Sequence, residues 1–450
     1  MKNWQSTIAF LLIICFGIVF FAGGTSLFSS RVYAGVTVDG VSLAGCSRED
    51  VQQLLAVWRQ ELLQKRIKVY YGENSFDLAA QQIDLDWDIA AAANEAWNYG
   101  RDGGLWTRMK KIYQAREEGY HVTLRVQYNK DKLDRYIAEW RQAVEREPRN
   151  AAISMQSGTV LPQEQGMRLA VETAGPAVLK ALSTVDVPAV ILPVVTVPPE
   201  VTVQDVAARG IGDLWGSYTT DFNEDDVNRS ANIILAANKI NGKILEPGAV
   251  FSFNEVVGPR EKEYGFKEAM ELMDGELVPG IGGGICQVSS TLYNAVLLSN
   301  LTVVERYNHS KALGYVPLGR DATVVYGLLD FKFANNTGAP VLITAEIQRG
   351  RLSIGLFGRG KMKEAVKIIS TDKKAILPAE VRKEDQTLYL GETEVEKPGK
   401  PGYEITTLRI VESGGQEIKR EVLAKDRYLP EDKIIKMGTR MPPFARAGGE

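Results

Sequence analysis

The chain has 450 residues, 45% hydrophobic, 24% charged and 8% aromatic, with a formal net charge of -3. That composition excludes collagen-like, low-complexity and disordered classes, and the length suffices for about three folded units at roughly 100–200 residues each. Near-balanced charge argues against nucleic acid as a partner, which calls for clustered basic residues. Three cysteines and two histidines are too few for a disulfide framework or a zinc site, so neither a metal nor a cofactor is expected.

The first element in chain order is an uncharged run over residues 8–28, just long enough to span a bilayer. Lys2 precedes it and Arg31 follows, so its orientation signal is weak. An uncleaved anchor with its N-terminus inside is the favoured reading, and a cleaved signal peptide is the alternative. Both put the bulk of the chain outside the cytoplasm. Leu43-Ala44-Gly45-Cys46 mimics a lipoprotein acceptor but lies too far beyond the apolar run, and Ile14 is too bulky to precede an acceptor at Cys15. Cys15 is read as an apolar helix residue.

Residues 35–43 alternate as a strand with a turn at Asp39-Gly40. Ser47 then caps a helix with acids in its first turn. A hairpin around Glu73-Asn74, a helix over 88–99, a strand over 121–128 and a helix over 131–145 follow. His121, on a strand without partners, is read as structural. This layout resembles the peptidoglycan-binding domain that precedes VanW domains in surface proteins of Gram-positive bacteria, which implies a wall-facing spacer or binding unit. Residues 185–203 carry Pro188, Pro193, Pro198 and Pro199, which exclude a helix interior and predict a linker or extended strand. A domain boundary is placed near Asp205.

The informative region is 209–358. Gly282-Gly283-Gly284 is followed by a helical pattern in which Val288, Leu292 and Val296 share one face. Cys286 therefore falls in the first helical turn, where free N–H groups and the helix dipole favour a thiolate. Backbone N–H groups around Gly283 and Gly284 can serve an oxyanion, and Gln287 either orients an intermediate or caps the helix. His309 and then Asp321 complete a nucleophile, base and orienter in chain order. A buried inert thiol, a structural histidine and a turn-capping aspartate are the competing readings. A disulfide between Cys46 and Cys286 is a minor alternative. Neither a dinucleotide fingerprint nor a phosphate loop is present.

The series GSYTTDF, FSFNEVVGPREKEYGFKEA, GGGICQVSSTLYNA, ERYNHSKALGYVPLGRDATV and DFKFANNT strongly resembles a VanW domain. The family has a nominal link to glycopeptide resistance. The resemblance implies cysteine L,D-transpeptidation of peptidoglycan, with Cys286 as nucleophile. His309 and Asp321 match its His-Ser and Asp-Ala-Thr positions. Ser289 keeps a hydroxyl where the family has one. Arg260, Arg306 and Arg320 are candidate anchors for stem-peptide carboxylates, or else structural ion pairs.

Residues 362–441 alternate as strands separated by Pro398-Gly399, Pro401-Gly402 and Gly414-Gly415. The stretch resembles the five-glycine domain of wall-associated proteins, which implies sugar or matrix contact; a plain structural extension is the alternative. The tail RMPPFARAGGE is read as disordered.

The expected architecture is therefore multidomain α+β: a cytoplasmic stub and transmembrane anchor over 1–30, an α+β spacer with a Pro-rich linker over 31–204, an α+β VanW domain over 205–360, an all-β module over 361–441 and a tail over 442–450. The expected function is peptidoglycan cross-linking through an acyl-enzyme on Cys286. The partners are stem peptides and glycan, with the membrane held by residues 8–28. A non-catalytic wall-binding scaffold and a thiol hydrolase of stem peptides are the alternatives.

Overall fold

The computed structural model describes residues 29–184, 187–273 and 276–441. The expected membrane segment over 8–28, including Cys15, and the tail over 442–450 lie outside the described residues. Among the described residues no helix is long and apolar enough to cross a membrane. The protein is mixed α+β and multidomain, with an all-β module at its C-terminal end. Two compact units divide it. One comprises the described residues up to Arg146 together with Met167–Val197; the other comprises Glu147–Gly166 and everything from Pro198 onward.

In the first unit, strands β1 (Val36–Val38) and β2 (Val41–Ser42) precede helix α1 (Arg48–Leu63). The Ser47 hydroxyl accepts from Asp50 N–H while the Asp50 carboxylate accepts from Ser47 N–H, the reciprocal box that fixes a helix start. Strands β3 (Arg66–Tyr71) and β4 (Asn74–Ala79) form the expected hairpin. Asp88 caps α2 (Ile89–Asn98). Helix α3 (Leu105–Glu118) was not legible in the sequence. Only Ala115 of it is fully buried, while Leu105, Trp106, Met109 and Tyr113 face outward, so its apolar pattern does not mark a core. Strand β5 (Tyr120–Val122), helix α4 (Lys130–Val144) and helix α5 (Val171–Ser183) follow. The core gathers Val36, Leu55, Val69, Leu78 and Trp140. His121 is exposed and hydrogen-bonds Thr37 Oγ1 through Nδ1 at 2.6 Å. Cys46 is a free thiol packed at the edge of this core.

The segment read as a linker is built into this unit. Strand β6 (Ala189–Ile191) pairs in parallel with β3, Val190 opposite Val69. Its β-branched residues fill a sheet position, and the prolines lie outside the paired residues. The compact-unit break thus falls at Val197 rather than near Asp205. Residues 147–166 join the second unit because Ala151 and Ile153 bury against Val201, Val206, Leu342 and Phe357, and Ala151 N–H bonds Val201 O at 2.9 Å. Strands of two residues leave too short a pattern to read from sequence.

The second unit begins with α6 (Val203–Ala208), β7 (Asp213–Asp221), α7 (Val227–Ile240), β8 (Lys243–Leu245), β9 (Val250–Ser252) and α8 (Phe253–Val257). A hairpin of β10 (Glu268–Met273) and β11 (Glu276–Ile281) leads into α9 (Ile285–Leu298). Strands β12 (Thr302–Glu305), β13 (Lys332–Ala334), β14 (Val341–Gln348) and β15 (Arg351–Gly358) complete two sheets, ordered β7-β15-β14-β8 and β9-β13-β12. Helix α9 is buried on every face: Val288, Leu292 and Val296 lie in the apolar core, and Ser289, Ser290, Thr291 and Asn294 are buried too. The all-β module comprises β16 (Glu364–Ile376), β17 (Glu380–Tyr389), β18 (Thr393–Lys397), β19 (Gly402–Ser413), β20 (Gln416–Tyr428) and β21 (Lys433–Arg440). Its two sheets run β16-β19-β20 and β17-β21-β18.

Candidate functional site

The site forms where α9 begins. Gly282 and Gly284 have φ of +101° and +106°, a region L-residues avoid, so the chain turns sharply from β11 into the helix. Cys286 is the second residue of α9 and keeps part of its surface exposed. Its Sγ donates to Val324 O at 3.6 Å, and the charge of His309 acts on it. Burial opposes the thiolate, but His309, with a smaller contribution from Arg260, outweighs it and holds the thiol below its ordinary value.

His309 and Asp321 come from the long connection between β12 and β13. The polar side chains of α9 pin that connection: Ser289 Oγ donates to Ala322 O at 2.6 Å, Ser290 Oγ accepts from Ala322 N–H at 2.9 Å, and Asn294 Nδ2 donates to Arg320 O at 2.7 Å. His309 is 5% exposed and Asp321 1%. Asp321 Oδ2 receives His309 Nδ1 at 2.6 Å, which leaves Nε2 for the thiol. Burial favours neutral imidazole, yet the bond to Asp321 and the charge of Cys286 prevail and His309 is raised to about 9. Buried Asp321 is nevertheless held below its ordinary value by His309 and Arg306. Asp321 and His309 thus form a buried, hydrogen-bonded pair whose charge acts on the Cys286 thiol.

The other sequence candidates divide. Gln287 is 1% exposed; its amide donates to Thr220 Oγ1 and Asp221 O and accepts from Arg229, so it fastens α9 to β7 and α7. Ser289 is spent on the Ala322 and Cys286 carbonyls. Gly283 makes room for protein rather than ligand: a Cβ there would sit 2.6 Å from Met270 O. At Gly284 a Cβ would meet Arg229 and Ile233. Arg306 is internal, bonding Asp321 Oδ1 at 3.1 Å and Asp426 Oδ1 at 2.6 Å. Those five are thus turned inward, because close-packed backbone and buried polar groups take up their contacts. Arg320 bonds Asn294 and covers the Tyr218 ring. Arg260 bonds Asn254 Oδ1 and Gly258 O, and its charge reaches the Cys286 thiol.

The structure adds residues the sequence reading missed. Tyr315 bonds Ser290 and feels the Cys286 charge, and its phenol is raised by burial, so it stays a proton donor. It lay inside a quoted motif, but an aromatic in a loop gives no sign of what it faces. Asp426 and Tyr428 reach the site from β20, more than a hundred residues downstream of Asp321. Among the described residues no group of His, Cys, Asp and Glu side chains is arranged to hold a metal.

Residues 228–357 match the family described as VanW like protein, residues 76–186 the peptidoglycan binding domain and residues 367–440 the G5 domain. The chain is 38% identical over 227 residues to the uncharacterized protein YoaR of Bacillus subtilis (strain 168), covering 50% of this chain and 74% of that one. It is 34% identical over 115 residues to the Vancomycin B-type resistance protein VanW of Enterococcus faecalis (strain ATCC 700802 / V583), covering 24% of this chain and 42% of that one. Among solved structures, the G5 domain of an IgA1 protease is 24% identical over 18% of this chain and 95% of that one, with a TM-score of 0.14.

Proposed function

The chain belongs to the VanW-like family and carries peptidoglycan-binding and G5 domains that support a cell-wall-associated role; from that premise we propose that it cross-links peptidoglycan by cysteine-dependent L,D-transpeptidation. The observation that carries this reading is the buried, hydrogen-bonded Asp321–His309 pair, whose charge lowers the Cys286 thiol in the first turn of a helix.

In this mechanism, Cys286 thiolate attacks the carbonyl carbon of the third residue of a donor tetrapeptide stem. A C–S bond forms, and the carbonyl electrons move to an oxyanion. Collapse breaks the C–N bond, and protonated His309 gives its proton to the departing amine of the terminal D-residue. An acceptor stem amine then attacks the thioester, His309 takes its proton, and the C–S bond breaks to restore the thiolate. Asp321 holds the imidazolium throughout without taking its proton. Arg260, the arginine candidate whose charge reaches the thiol, is proposed to pair with a stem carboxylate. The uncharged run over 8–28 supports a location at the outer face of the cell membrane.

The test is incubation of the full chain with defined disaccharide tetrapeptide, with products resolved by mass. The proposal expects cross-linked dimer and released D-amino acid, both lost in Cys286→Ala. Tripeptide without dimer would make the enzyme a hydrolase. Binding without turnover would leave a scaffold.

A further inference from the structure

The C-terminal β module is built into the site rather than appended to it. Along a strand, residues two apart face the same side, and Asp426 and Tyr428 at the end of β20 both turn toward the connection that carries His309 and Asp321. Tyr428 is 1% exposed. Its hydroxyl accepts from Gly319 N–H at 2.8 Å and donates to Asp321 Oδ1. Burial and the adjacent Asp321 raise its phenol, so the donor proton is retained. Asp426 Oδ1 receives Arg306 Nη1 at 2.6 Å, and the same guanidinium bonds Asp321 Oδ1 through Nη2. The β20 backbone grips both sides of His309: Asn308 Nδ2 donates to Arg427 O at 2.9 Å, and Leu429 N–H donates to Ser310 O at 2.7 Å.

We infer that strand β20 is a positioning element of the thiol site, with Tyr428 and Asp426 fixing the carboxylate of Asp321 so that its Oδ2 faces His309. A carboxylate that receives only His309 is free to rotate about its side-chain bonds. Here Oδ1 is fixed by Tyr428 and by Arg306, and Arg306 is itself held from behind by Asp426. The G5 module thereby acts on the chemistry of Cys286 without touching substrate. The inference rests on the proposed thiol chemistry for its meaning, but its geometry is independent of which reaction the thiol performs.

The test uses the full chain with isotopically labelled histidine. The chain has only two histidines, so the ring signals of His121 and His309 can be followed separately against pH. Cys286 alkylation is followed in parallel. In Tyr428→Phe the His309 midpoint should fall from about 9 by at least one pH unit, and alkylation of Cys286 at pH 7 should slow. Asp426→Asn, which keeps Tyr428 and its bonds, should lower the midpoint in the same direction and serves if Tyr428→Phe does not fold. Thr407→Val is the control: it removes a contact from Thr407 Oγ1 to Gly319 O at 3.4 Å while keeping the Tyr428 and Arg306 bonds to Asp321, and should leave the midpoint in place. A folded Tyr428→Phe or Asp426→Asn with an unchanged or higher midpoint overturns the inference. So does an equal shift in Thr407→Val, which would make the effect one of docking in general. A wild-type chain that forms no cross-links while the midpoints move as stated refutes transpeptidation and leaves the positioning role standing.

Discussion

Asp321 Oδ2 accepts both the backbone N–H and the Nδ1–H of His309, each at 2.6 Å. Two donors from one residue on one oxygen fix the imidazole plane as well as its protonation. With Nδ1 committed to Asp321, Nε2 is the ring nitrogen left to a reacting group, which is the arrangement an acyl-transfer base needs.

Thiol reactivity should show this relay directly. Near neutral pH an ordinary thiol is only about 3% thiolate, whereas Cys286 is held below its ordinary value by His309. Alkylation of Cys286 should thus rise less steeply between pH 7 and 9 than that of an ordinary thiol. In His309→Ala and Asp321→Asn it should become steeply pH-dependent and slow about tenfold at pH 7. Cys46, packed in the first unit, is the internal comparison, and mass spectrometry separates the two sites.

Stability should carry the signature of His309 once the thiol is removed. In the wild type the depressed thiol and the raised imidazole give opposite slopes and largely cancel. In Cys286→Ala only the imidazole shift remains, still raised by Asp321. A raised base contributes fully below the ordinary histidine value of about 6.5 and loses its contribution as pH rises through its folded value. Urea midpoints of Cys286→Ala should therefore fall between pH 6 and 9, and the fall should vanish in Cys286→Ala/Asp321→Asn.

Arg306 sits between two buried carboxylates, its own side chain 5% exposed. Removing it in Arg306→Met leaves buried Asp426 without its cation and Asp321 with His309 alone. Breaking a buried pair on one side costs about 3–5 kcal/mol, readable by chemical denaturation. Arg320→Met, half-buried and without a carboxylate partner in its contacts, should cost less.

Asn232 fastens the glycine turn from below. Its Nδ2 donates to Lys267 O at 2.9 Å and Gly283 O at 3.0 Å, and its Oδ1 accepts from Lys267 N–H at 2.7 Å. Asn232→Ala strands those backbone groups and should destabilise by about 1–3 kcal/mol. Asn228→Ala, which loses one exposed bond to Glu268 O, should be nearly silent in the same denaturation measurement.

Much of the site was legible because its chemistry is scarce. Two histidines and three cysteines left few pairings, and the glycine triplet followed by a 3.6-period pattern placed Cys286 in a first helical turn, where α9 has it. The capping box at Ser47 and the hairpin at Glu73-Asn74 were local signals, set by neighbours within a few residues. Where Arg306, Ser289, Gln287, Gly283 and Gly284 face was not legible, because sequence shows which groups a residue carries, not where they point. Gln287 and Ser289 look like exposed polar positions beside a nucleophile. They are buried fasteners because α9 is enclosed on all sides.

The sequence by itself determined the candidate thiol, the candidate base and the helix whose first turn carries the thiol, since helix periodicity and turn chemistry act over a few residues. Only the tertiary structure decided what holds Asp321. Tyr428 lies 107 positions away and Asp426 120 positions from Arg306, and no local pattern links residues so far apart. Their meeting depends on the end of β20 docking on the His309 connection, where burial strengthens each bond and leaves no alternative partner in water.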